Sequence, residues 1–115
     1  MNEEISMMME TYNTYDIDWM GDKINNTSDL TRHHIVKKCT GGNNDIDNYA
    51  LLTTKSHHLI HYLENNNYKD YCLINNMLLE LNKSSSPPTN EYFDNMKMII
   101  KRVNKIIKNK RRKGK

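Results

Sequence analysis

At 115 residues with 37% hydrophobic side chains, the chain can bury one modest core and not two independent ones. Its mean hydropathy of -0.88 is low, and no apolar run approaches membrane-spanning length, so no membrane partner is expected and part of the chain should be solvated. The formal net charge of +3 conceals a segregation: every charge before Lys23 is acidic (Glu3, Glu4, Glu10, Asp16, Asp18, Asp22), whereas residues 97–115 carry only basic ones. Such polarity suits a protein with one nucleic-acid face.

The first segment, residues 1–29, is the least legible. Residues 7–15 fit a short helix or irregular structure equally well, and Tyr12, Tyr15, Ile17, Trp19 and Met20 are expected to cover the back of the central unit, with Trp19 a packing anchor. His34-Ile35-Val36 and Tyr49-Ala50-Leu51-Leu52 are β-prone runs separated by the turn-rich stretch from Cys39 to Asp45. Residues 53–64 then read as a helix with a threonine as N-cap and no proline or glycine to interrupt it. Strand, loop, strand and helix make a ββα unit over residues 30–64.

Downstream, Tyr71, Cys72, Ile74, Leu78 and Leu81 recur at near-helical spacing, which predicts a core helix over 68–81. A linker over 82–90 contains Ser84-Ser85-Ser86 and Pro87-Pro88, and Thr89 or Asn90 can cap the next element. From about residue 91 to 108, Met96, Ile99, Ile100, Val103, Ile106 and Ile107 form an apolar stripe, with Lys97, Lys101, Lys105 and Lys108 largely off it. This helix completes the helical part, 65–108. Residues 109–115 hold Lys110, Arg111, Arg112 and Lys113, lack apolar side chains, and are expected to be a mobile basic tail that contacts phosphate. The fold class is therefore α+β, one small ββα motif surrounded by α-helices.

Histidine carries the chemical signal. Four of the five histidines fall at His33-His34 and at His57 and His61, and a spacing of i, i+4 puts the latter pair on one helix face, within reach of a common ligand. Alternation along a strand sends His33 and His34 to opposite faces, so one can point at a metal shared with the helical pair and the other toward a phosphate and a water molecule. Three protein ligands leave coordination positions open, as catalysis requires. His58 lies on another helix face and is assigned no role.

The segments Leu30-Thr31-Arg32-His33-His34-Ile35-Val36, Gly41-Gly42, Asp47-Asn48-Tyr49-Ala50-Leu51-Leu52-Thr53 and Ser56-His57-His58-Leu59-Ile60-His61 together resemble the His-Asn-His, or HNH, endonucleases, whose active site is a ββα-metal motif. The resemblance covers the central third of the chain, and its histidine-rich form is similar to the colicin-type and phage homing-type enzymes. It implies that His34 is the general base, that His33, His57 and His61 hold one divalent ion (Mg, Mn, Zn or Ni), and that Asn48 pins the loop that aims the base. It further implies DNA as the partner and metal-dependent phosphodiester hydrolysis as the activity. Arg32, Lys37 and Lys38 are expected phosphate contacts, although a solvated loop accounts for the lysines equally well. Many HNH relatives carry two Cys-x-x-Cys pairs for a separate structural zinc. Here Thr53 and Ser56 stand where the second pair would fall, and Cys39 and Cys72 have no such spacing, so that zinc is not expected.

Two blander accounts compete: a catalytically inactive HNH-fold protein that binds nucleic acid or inhibits, and a structural metal module. Neither is favoured by a lost key position. The N-terminus has no basic stretch leading into an apolar one, so the protein is expected to act inside a cell with reduced cysteines. The wealth of Asn, Ile, Lys and Tyr is that of AT-rich coding sequence, as in a phage, a virus or a low-GC bacterium; for a phage-encoded protein the compartment would be the host cytoplasm.

Overall fold

The computed structural model describes residues 3–113, with side chains through Arg111. Among them, four helices and a two-stranded antiparallel sheet form an α+β fold in the order α1 (Glu3–Tyr12), β1 (Leu30–His34), β2 (Tyr49–Thr53), α2 (Thr54–Asn66), α3 (Tyr68–Ser84) and α4 (Asn90–Lys113). The register pairs Leu30 with Thr53 and His34 with Tyr49. No helix among these residues is long and apolar enough to cross a membrane.

β2 is the centre of the core. All five of its residues are buried, and α1, α2 and α3 each pack against it. Full burial of a leucine such as Leu51 or Leu52 contributes about 1.5–3 kcal/mol, so this strand with Ile60, Leu63, Ile74 and Leu78 supplies much of the driving force. The first strand begins earlier than its apolar residues suggest, at Leu30, and stops at His34. The reason is local: Ile35 N–H still donates to the Asn48 carbonyl, but both backbone groups of Val36 are taken by the Asn48 side chain, which ends the ladder.

Helix boundaries are set by caps. Thr53 caps α2 by accepting from Ser56 N–H at 3.2 Å. Asn67 serves two helices, donating its N–H to Leu63 O at the end of α2 and accepting from Asp70 N–H at the start of α3, so the corner between them is a single residue. The buried Asp70 carboxylate also pairs with Arg102, which ties α4 to α3. α3 continues to Ser84 and α4 starts at Asn90, so the connection is 85–89 rather than 82–90. α4 also continues past residue 108 to Lys113, so most of the expected mobile tail is helical. Lysine and arginine are good helix formers, and their charge is favourable at a helix C-terminus.

The N-terminal segment is stitched to β2 and α2 by polar groups. The fully buried Asp18 carboxylate accepts from Met20 N–H, Asp22 N–H and Thr53 N–H, each at 2.8–2.9 Å, and Thr53 Oγ1 donates to Asp22 at 2.6 Å. Burial pushes the Asp18 carboxyl above its ordinary range, against hydrogen bonds from Ser56, Thr53, Asp22 and Met20 that favour the ionised form. Thr53 and Ser56 thus belong to a hydrogen-bonded staple. Trp19 is buried, with its indole N–H on Thr14 Oγ1 and its backbone carbonyl accepting from Tyr92. α1 resolves the open choice over residues 7–15 in favour of a helix as far as Tyr12, whose hydroxyl reaches Asn82 O. Tyr15 is exposed and not part of the buried core.

Candidate metal centre

β1 and α2 bring His33, His57 and His61 together. One nitrogen from each lies within 4.8 Å of the others, and this is the group of metal-ligating side chains that the described residues form. His57 and His61 stack at 4.7 Å between ring centroids with planes 29° apart, as helical i, i+4 spacing dictates. The His33 ring stands edge-on to both, at 5.4 and 5.7 Å.

Hydrogen bonds engage the second ring nitrogens of His57 and His33, and a longer contact with a carboxylate engages that of His61. Thr31 Oγ1 donates its single proton to Leu52 O at 2.9 Å, so at its 2.7 Å contact with His57 Nδ1 it accepts. The proton of His57 is then on Nδ1, and Nε2 presents a lone pair to the cluster. Asn75 Nδ2 donates to Ile35 O at 2.7 Å, which turns Oδ1 toward His33 Nε2 at 3.0 Å; His33 must donate there, leaving Nδ1 as its lone-pair atom. His61 Nδ1 faces Glu64 Oε1 at 3.5 Å and likewise leaves Nε2. Ligating histidines characteristically donate their other N–H in this way.

Protonation supports the same use. Burial pushes His33 down to about 4, helped by the neighbouring charges of His57, His61 and His34 and opposed by the hydrogen bond to Asn75. His57 is lowered mainly by burial and then by His61, His58 and His34. Imidazoles held neutral at pH 7 are ready ligands and need release no proton to bind. His33 is buried, His57 half-buried and His61 exposed, so the cluster opens to solvent on one side. The donor set fits a divalent ion with open positions.

His34 is not part of the cluster, although it lies near enough to lower the basicity of His33 and His57. Its ring rests edge-on against Tyr49 at 4.9 Å, and its Nε2 meets Asn44 Oδ1 at 2.9 Å. Asn48 clasps the loop between the strands: Nδ2 donates to Val36 O and Asn43 O, both at 2.9 Å, and Oδ1 accepts from Val36 N–H at 2.8 Å. Gly42 lies at the neck of this loop, where a Cβ would sit 1.8 Å from Val36 O. Gly41 has φ of 99°, a left-handed conformation that favours glycine.

The expected phosphate contacts are distributed differently. Lys37 forms an ion pair with Glu64, the carboxylate that also faces His61. Arg32 pairs with Glu4 at 3.1 Å and lies 5.0 Å over the Tyr49 ring. Lys38 is exposed in the loop, and Lys110 and Arg111 are exposed on α4, with none of these gathered into the histidine cluster. The side chains of Arg112 and Lys113 lie outside the described ones. His58 is exposed.

Three residues of this neighbourhood escaped the sequence reading: Thr31, Glu64 and Asn75. For Asn75 a signal existed, a polar residue within the apolar face defined by Tyr71, Ile74 and Leu78.

Over 32 residues, 28% of this chain, the sequence is 50% identical to a protein of Enterobacteria phage T4 named "Probable mobile endonuclease D". The match spans 12% of that protein. No family model and no solved structure matches the chain. This partial similarity and the histidine cluster are compatible with a nuclease.

Proposed function

We propose that the protein is an endonuclease of the HNH type that hydrolyses DNA phosphodiester bonds with a divalent ion on His33, His57 and His61. The observation that carries this reading is the convergence of three imidazoles whose other nitrogens are each engaged by a neighbouring group. Neutral imidazole suits ions such as zinc or nickel better than magnesium, which demands oxygen ligands. When bound there, the ion would supply Lewis acidity to the scissile phosphate.

The protein's own part is assigned to His34 and the loop. With Asn44 Oδ1 accepting from Nε2–H, the Nδ1 lone pair of His34 is the proton acceptor for an attacking water. The water oxygen bonds to phosphorus as its proton passes to His34, the bond to the 3′ oxygen breaks, and the departing alkoxide takes a proton from solvent, giving a 5′ phosphate and a 3′ hydroxyl. Asn48 fixes the backbone just after the base, at Val36, and so orients it without moving a proton itself. Phosphate binding at Arg32 or Lys37 exchanges a carboxylate partner for a phosphate oxygen, whereas Lys38, Lys110 and Arg111 are exposed. Arg112 and Lys113 complete the basic end of the chain.

Conversion of supercoiled plasmid to nicked or linear form tests the reading. It should require zinc, nickel or another divalent ion, stop on chelation and resume on readdition. Metal binding without cleavage would favour a protein that docks on nucleic acid without turnover.

The basic end of α4 gives a separate expectation. Truncation after Asn109 removes Lys110, Arg111, Arg112, Lys113 and Lys115 but no apolar side chain. For every phosphate that the shortened chain no longer neutralises, the slope of log affinity against log salt should flatten by about 0.9. Stability and the rate at saturating DNA should stay nearly unchanged. A truncated chain with the full-length slope would show that this end does not touch DNA.

A further inference from the structure

We propose that Asn75 of α3, outside the ββα unit, is a positioning residue that presets His33 for metal binding and fixes the backbone beside His34. This inference rests on the proposed metal centre and extends it to a helix that the motif does not contain. One amide makes both contacts. Its Nδ2 donates to the carbonyl of Ile35, the residue after His34, at 2.7 Å, and its Oδ1 accepts from His33 Nε2 at 3.0 Å. The first bond determines the second, because a flipped amide would put oxygen against oxygen at Ile35.

The consequence for His33 is chemical. A neutral imidazole has its proton on one nitrogen or the other, and only the form with Nε2–H offers Nδ1 to the cluster. Without an acceptor at Nε2, the ring can carry its proton on the ligating atom or rotate. His33 is the buried member of the three, so water does not readily replace the missing partner. Thr31 and Glu64 face His57 and His61 from within the ββα unit, whereas the His33 partner comes from α3. Docking of α3 thereby completes the ligand set.

The test uses 15N-labelled full-length protein at pH 7. In metal-free wild type, the His33 ring shifts should report a proton on Nε2, and zinc or nickel should bind. Asn75→Leu keeps the size but removes the amide; it should lose the tautomer preference and weaken metal binding about 10- to 100-fold. Asn75→Asp keeps an oxygen for His33 Nε2 but sets its second oxygen against the Ile35 carbonyl, so it should recover the tautomer while losing the bond that fixes the backbone. Thermal unfolding with unaltered cooperativity establishes that each variant is folded. The proposal is overturned by a wild-type His33 proton on Nδ1, by an Asn75→Leu affinity equal to wild type, or by a loss of the tautomer preference that Asn75→Asp does not recover. A wild-type protein that binds neither zinc nor nickel refutes the metal centre itself, and with it any role of Asn75 in affinity; equal binding by wild type and Asn75→Leu refutes the role of Asn75 alone.

Discussion

Replacing His57 by alanine is expected to cost metal binding and cleavage together. In the proposed centre His57 is the central ligand by position: it stacks on His61, meets the edge of His33, and is held by Thr31 in the form that frees Nε2. The remaining two imidazoles come from different elements, with no helical pair left to chelate. Loss of an outer partner weakens metal sites by about 10- to 100-fold, and loss of a ligand should exceed that. Stability of the metal-free protein should hardly fall, because Thr31 keeps its bond to Leu52 O and His57 is only half-buried. Calorimetric titration with zinc or nickel, read beside plasmid cleavage, checks both halves. Wild-type affinity in His57→Ala would remove the helical pair from the centre.

His34→Ala should separate what His57→Ala joins. His34 contacts Tyr49 and Asn44 and is not one of the three clustered histidines, so its removal leaves all three proposed ligands and their partners in place. Metal affinity should be nearly that of the wild type. Cleavage at saturating metal and DNA should fall about 100- to 10,000-fold, the usual contribution of a positioned general base. Single-turnover kinetics on an oligonucleotide duplex provide the rate. A His34→Ala protein cleaving at the original rate would assign the proton transfer to another group.

The ββα unit was legible because its signals are local. Helical spacing of His57 and His61, turn chemistry between two apolar runs, and a threonine cap all act within a few residues, and Thr53 caps α2 as expected. The start of β1 was not legible, because Thr31 and Arg32 look like solvated residues until their distant partners, His57, Glu4 and Tyr49, are in place. The strand was therefore read from Ile35 and Val36, and Val36 proves to be where pairing ends. The Asp18 staple joins groups up to 35 residues apart, and no periodicity encodes it. Asn75 was hidden for a different reason: in an asparagine-rich chain one more asparagine attracts no notice, although its place on the buried face of α3 distinguishes it. Lys37 was readable as a cation but not as a paired one, since Glu64 lies 27 residues away.

The most direct test of the proposed centre compares site occupancy with cleavage in one titration. Zinc or nickel is added stepwise to metal-free protein with saturating duplex DNA; the imidazole resonances of His33, His57 and His61 report occupancy, and the cleavage rate is measured at each step. The rate should rise in proportion to occupancy and reach its plateau when the three histidines are fully bound. Cleavage that proceeds while these histidines remain free of metal, or full occupancy with no cleavage, would contradict the assignment.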